Sequence, residues 1–181
     1  ASAKIKAKNL FMVSLCFILY NGISISKIDN ELLTRMKKVE NDSSYLAFRY
    51  NDKVPENKAL YDYVMLVKSW CINDAVNKGY VEDLAAWLDF GFNSGGKLYY
   101  DENDFDFEWK YDFKDKITFF SLNDDDGASI LKVVNNLKVY IMGGYFIVPK
   151  NMANKLWKIE KEAMNSLIDC GMIDDDQLIM L

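Results

Sequence analysis

Three places in this chain set chemistry-bearing residues beside backbone with room for a ligand. The first is Asp89, in the stretch DLAAWLDFGFNSGG over residues 83–96, where an acid follows a short apolar run and precedes a glycine-rich loop. In α/β sheets ligands bind outside the carboxyl ends of strands, where an Asp can meet a hydroxyl or a hydrated cation without burying a lone charge. The same residue would also serve as an Asx-turn with Gly91, and the segment alone leaves both readings open. The second place is Gly143-Gly144, between two apolar extended runs. Glycine weakens a strand there unless a bulge, a positive φ or the close approach of a ligand or another backbone requires it. The third is Asp174-Asp175-Asp176-Gln177. Asp174 and Gln177 have capping-box spacing, yet a cap needs one carboxylate, and three together make a hard-cation site or a general base.

Two other acidic stretches read as surface. Asp124-Asp125-Asp126-Gly127 has the composition of a solvated turn. The aromatic and acidic stretch over residues 99–113 reads first as an exposed loop or edge hairpin, although its rings could also stack on sugars.

What the chain lacks narrows the chemistry further. It contains no histidine, which excludes Ser-His triads, Cys-His dyads, His-ligated zinc and imidazole acid/base catalysis. Catalysis would rest on carboxylates, Lys, Tyr, Cys or an oxygen-held metal. A net charge of -5 argues against a nucleic-acid partner, which would require a basic face. Cys16, Cys71 and Cys170 are odd in number and widely spaced, so reduced, buried thiols and a cytoplasmic setting are expected.

At 181 residues, half of them hydrophobic, the chain suits one folded domain over residues 1–181. Residues 1–30 have no clear assignment. The apolar run at 9–20 is too short to span a bilayer and reads as a buried strand or helix, with a targeting segment as the alternative. Apolar periodicity predicts helices over 27–40 and 60–77, the second ending at Gly79, and a loop between them. Strands are predicted over 84–90, 116–122 and 137–142, with a second extended piece over 145–149 and a short helix or strand over 130–134. A helix over 151–170 would carry a stripe of Met152, Leu156, Ile159, Ala163 and Leu167, with Asn151 as its cap and Gly171 as its stop. Strands alternating with amphipathic helices indicate an α/β domain with a mixed, mostly parallel sheet flanked by helices. The chain ends on an apolar run, so an excerpt of a longer polypeptide or a missing tail is expected.

In order and spacing, Tyr63-Val64-Met65 with Lys68, WLDFG over 87–91, ITFFSL over 117–122, VYIMGGYFIV over 139–148 and IDDDQ over 173–177 resemble the bacterial HtrL/YibB family. The resemblance is firmest over residues 60–181, and because family members begin with a further strand and loop it implies a domain incomplete at both ends. That family is associated with lipopolysaccharide-core and surface-glycan gene regions and looks like a divergent group of GT-A-like glycosyltransferases. The resemblance implies transfer of a sugar from a nucleotide-sugar donor to a glycan or lipid-linked acceptor, by a cytoplasmic protein peripheral to the inner membrane. It implies Asp175 or Asp176 as catalytic base, with Asp89, Gly91, Gly143, Gly144, Gln177 and Lys68 at the donor or sugar site. It also implies Mn²⁺ or Mg²⁺ held by Asp89 and Asp176. Gly91 stands where the usual D-x-D metal motif has its second carboxylate, so any metal must recruit another acid. A non-catalytic glycan-binding or assembly protein on a degenerate transferase fold is the alternative.

Overall fold

The first helix begins where the sequence supplies a cap. In the computed structural model, which describes residues 10–13, 24–48, 55, 58–89, 113, 115–124 and 127–181, α1 spans Asn30–Glu40 and its N-cap is Asp29, whose carboxylate accepts from the Leu32 N–H at 3.0 Å. The expected start at residue 27 is therefore early by about one turn, because residues 25–27 form a separate 3-10 turn ahead of the cap. Leu32, Leu33, Met36 and Val39 are buried at the spacing of one helix face. Asp29 also receives Lys161 at 2.5 Å, and its backbone N–H donates to the Tyr63 hydroxyl at 2.7 Å.

The stretch expected as a loop contains a second helix, α2 (Ser43–Phe48). The overlooked signal is Asp42, which accepts from both the N–H and the hydroxyl of Ser44. Helix α3 (Ala59–Asn77) runs close to its predicted bounds, and Gly79 at φ +76° ends it.

Strands β1 (Leu10–Val13), β2 (Leu84–Leu88), β3 (Thr118–Ser121) and β4 (Ile141–Pro149) form one sheet in the order β1-β2-β4-β3. Only β1 and β2 are parallel; β4 runs antiparallel to both β2 and β3. The expectation of a mostly parallel sheet is therefore corrected. An unbroken apolar run such as LAAWL reports burial on both faces and says nothing about direction. The extended pieces on either side of Gly143-Gly144 form one continuous strand, with neither glycine at positive φ, but it begins at Ile141 and not at the expected 137, because Leu137 takes a left-handed conformation after α4.

Between β3 and β4 lies α4 (Ile130–Asn136), so the short element at 130–134 is a helix. After β4 comes α5 (Ala153–Asp169), stopped by Gly171 at φ +74° as expected. Its cap position is Met152 with no side-chain bond, because Asn151 belongs to a 3-10 turn at Lys150–Met152. Its buried face is Ala153, Leu156, Glu160 and Met164, whereas Ile159 is 47% exposed. The predicted stripe is thus rotated about one residue from the true one, and the true one contains a glutamate. The last element is α6 (Asp176–Ile179).

The main core lies between one sheet face and helices α1, α3 and α5. Ala85, Trp87, Phe146 and Val148 meet Leu66, Val67, Cys71, Leu156 and Met164 there, and a smaller cluster with Leu84, Ala86, Phe113, Tyr145 and Ile147 covers the other face. This is a mixed α/β domain. Cys71 is buried as expected, and burial pushes its thiol up, but Cys170 is exposed. Cys16, Gly91, most of the 99–113 stretch and Asp125-Asp126 lie outside the described residues. Among the described residues no helix is long and apolar enough to cross a membrane.

Because Asp29 caps α1 and pairs with Lys161 of α5, Asp29→Ala is expected to lower the urea-unfolding free energy by about 1–2 kcal/mol. An unchanged midpoint would show that the cap does not hold these helices.

Candidate functional site

Lys68 projects from the middle of α3 into the core, where its side chain is 2% exposed. Its stem lies among apolar groups and its Nζ is 6.0 Å from the centre of the Trp87 ring. An ammonium in that position requires anions and acceptors on all sides. It finds Asp176 Oδ2 at 2.9 Å, the Gly143 carbonyl at 3.0 Å and Asp89 Oδ2 at 3.5 Å. One cation therefore joins helix α3, the end of β2, the middle of β4 and the start of α6.

Asp89 is the residue immediately after β2. Its backbone N–H donates to the Gly144 carbonyl at 2.9 Å, which extends the β2–β4 ladder one step past Leu88. Trp87 and Asp89, two apart on an extended chain, share a face. The indole N–H of Trp87 donates to Asp89 Oδ1 at 2.6 Å, and the Trp87 ring stacks on its cross-strand neighbour Phe146. With the Asp89 side chain 38% exposed, one carboxylate is fixed on three sides and open to solvent on the rest.

The three acids before Gln177 have separate tasks. Asp174 accepts from the Asp175 N–H at 2.9 Å. Asp175 is the N-cap of α6 and accepts from the Gln177 N–H at 3.0 Å, so the cap lies one residue later than the capping-box spacing suggested. The Gln177 side chain does not reach back to its cap; it donates to the Ile141 carbonyl at 2.6 Å and ties α6 to β4. Asp176, with a side chain 1% exposed, pairs with Lys68, a contact that is an ion pair and not an aligned hydrogen bond. Burial raises its carboxyl to about 6 and the charge of Asp89 adds to that rise, while Lys68 opposes it.

The glycine pair exists to admit these carboxylates. A Cβ at Gly143 would lie 2.8 Å from Gln177 Cγ and 3.1 Å from Asp176 Oδ1, and one at Gly144 would lie 3.2 Å from Asp89 Oδ2. Of the explanations the sequence left open, the geometry supplies a close approach, and it is made by side chains of the protein.

The sequence-predicted residues Lys68, Asp89, Gly143, Gly144, Asp176 and Gln177 thus come together at the carboxyl end of β2, with Asp175 capping the adjacent helix. Asp124 is exposed, as is Gly127 at φ +68°. A cleft of about 660 Å³ against Glu82, Asp83, Asp115 and Lys150 shares none of the site residues. Sequence reasoning missed Glu160, which is buried on α5. Its signal was a glutamate four residues from both Leu156 and Met164, inside the apolar stripe.

A divalent cation does not fit between Asp89 and Asp176, because the Lys68 ammonium already lies within 3.5 Å of both and would repel it. Among the described residues no three Asp, Glu or Cys side chains group in a way that could hold a metal ion.

Two substitutions separate the glycine contacts. Gly143→Ala is expected to cost about 1–3 kcal/mol in urea unfolding, because its Cβ would lie 2.8 Å from Gln177, which is tied to Ile141; Gly144→Ala should cost less, because its closest approach is the looser 3.2 Å to Asp89. Equal costs would contradict this packing. For Asp176 the raised carboxyl means that the folded state holds a proton that the unfolded chain releases above its ordinary 3.8. Its contribution to stability therefore declines as pH rises from about 3.8 to about 6. Asp176→Asn should remove that part of the decline from the pH profile of unfolding, and a profile of unchanged slope would argue against it.

Comparison with curated proteins and with solved structures gives no match. A family model described as HtrL_YibB, a bacterial protein of unknown function, matches residues 5–181. That match spans the four-element junction at Lys68 and nearly the whole chain, and the protein belongs to the HtrL/YibB family of bacterial proteins.

Proposed function

We propose that the protein is a glycosyltransferase-like enzyme of surface-glycan assembly, with Asp89 as the carboxylate that meets the sugar. The observation that carries this reading is the combination of exposure and restraint at Asp89: it is 38% open to solvent, yet held by an indole N–H, a buried ammonium and the sheet backbone. A turn cap needs none of this support, whereas a binding or catalytic carboxylate gains from being pre-aimed. It follows β2, whose pairing with β1 is the one parallel pair among the described strands, and in parallel α/β sheets ligands are received outside the carboxyl ends of strands.

In this reading the acceptor hydroxyl oxygen forms the new bond to the anomeric carbon. The bond from that carbon to the nucleotide diphosphate breaks, and the hydroxyl proton passes to Asp89. Asp176 and Lys68 act beneath the surface, fixing Asp89 and balancing its charge, and the diphosphate leaves with the bonding pair. The acceptor would be a glycan, free or lipid-linked, which puts the protein at the cytoplasmic side of the inner membrane. The ammonium between the carboxylates makes a resident Mn²⁺ or Mg²⁺ unnecessary for charge balance at this point.

One observation favours a second reading, a non-catalytic glycan-binding protein. Asp176 is buried and Lys68 is occupied, so Asp89 is the one carboxylate of this cluster that a ligand can reach. Thermal-shift measurements with UDP-, GDP- and CMP-sugars, with Mn²⁺ or with EDTA, separate the two. The transferase reading expects a sugar nucleotide to raise the melting temperature, with EDTA without effect and the rise lost in Asp89→Asn. Stabilisation by free oligosaccharide alone would establish the binder instead, and no shift with either ligand would refute both.

A further inference from the structure

A buried carboxyl group that completes no hydrogen bond lies within electrostatic reach of the Lys68 junction. Glu160 is 1% exposed, in the middle of the stripe with which α5 packs on α3, between Leu156 and Met164. Neither of its oxygens has a hydrogen-bond partner. The hydroxyl of Ser69, beside Lys68 in sequence, is close enough to draw the glutamate's pKa down, yet it donates to the Leu66 carbonyl at 3.2 Å. A bare carboxylate in such a place is prohibitively costly, so the group is held neutral. Burial raises its pKa to about 8, and the negative charge of Asp176 adds to this against the opposing pull of Lys68 and Ser69. Glu160 is thus within electrostatic reach of both members of the buried pair.

The charges on the surrounding elements are accounted for. From α3 come Lys68 and the buried Asp62, and from α6 comes Asp176. On α1 and the rim of α5, Arg35 is bound to Asp169 and Lys161 to Asp29, both toward the surface. Lys68 is the cation through which Glu160 can act on the site.

We infer that Glu160 is a positioning residue of this site: its neutral carboxyl leaves the Lys68 ammonium to Asp176 and Asp89, and on losing its proton it becomes a third anion competing for that ammonium. The proton passes to solvent, and no other bond forms or breaks. The contact that yields first is the longest, Lys68 to Asp89 at 3.5 Å. Asp89 is then held by Trp87 and the backbone alone, so the aim of the exposed carboxylate depends on a proton in the core. The bearing of this on sugar transfer rests on the function proposed above; the coupling itself does not.

The experiment is a substrate-free NMR titration from pH 4 to 10, following the carboxyl carbon of Glu160 and the indole N–H of Trp87, the latter assigned with Trp87→Phe. Expected are a Glu160 midpoint near 8 and a Trp87 resonance that moves with the same midpoint, because its acceptor Asp89 shifts. In Glu160→Gln the Trp87 movement near pH 8 should vanish. Should that variant fail to fold, Glu160→Met, apolar like its flanking residues, serves the same purpose. A Glu160 midpoint near the ordinary 4.5, or a Trp87 transition near 8 that persists without Glu160, would overturn the inference. A merely structural role would change stability without removing a titration. Because no ligand is present, this result and the sugar-nucleotide result can each fail without the other.

Discussion

An ammonium removed from water must be surrounded by groups of opposite polarity, or the fold that buries it will not form. The Lys68 ammonium draws one carboxylate from α6, one from the end of β2 and a carbonyl from β4. These elements are far apart in sequence, and each is placed where its neighbours leave space for it. Gly143 and Gly144 carry no side chains because Asp176, Gln177 and Asp89 fill the room a Cβ would take. Asp175 caps α6 so that Asp176, the first residue of the helix, is directed at the lysine. Trp87 closes the remaining side with its ring near the cation and its N–H on Asp89.

Such a junction is rigid on the inside and open on one face. Asp176 is immersed in the core, whereas Asp89 shares the same cation and still meets solvent. That asymmetry divides the labour: the inner acid balances charge, and the outer one is free to bind. A surface carboxylate held only by solvent-screened contacts would sample several rotamers and give little orientation to a ligand. The neutral acid near the pair belongs to the same balance, since a further ionised group would add to the negative charge already gathered around one cation.

Most of the site was visible in the sequence as residues out of place. An acid ending an apolar strand, two glycines inside another strand and three acids before a short helix each broke a local pattern, and the structure brings them to one cation. The meaning of the glycines was not visible, because a close approach by protein and one by ligand demand the same residue. Glu160 stayed hidden for a different reason: the helix stripe was read through Ile159, one position away, so the glutamate fell on the supposed polar face. The direction of β4 could not be read either, since hydrophobic runs record burial and not polarity of the chain. Helix α2 lay in a polar, proline-containing stretch whose only start signal was Asp42. The periodic segments, α3 and α5, kept nearly their predicted bounds because long apolar repeats are a strong signal.

The dependence of the structure on the buried pair is measured most directly by a double-mutant cycle on Lys68→Met and Asp176→Leu, followed by urea unfolding. Removing either partner alone strands a buried charge and should cost about 3–5 kcal/mol. Removing both should cost far less than the sum, with a coupling larger than either single loss, about 3–5 kcal/mol or more, so that the double variant is more stable than either single one. Additive losses, with the double variant the least stable of all, would contradict the claim that this ion pair organises the site.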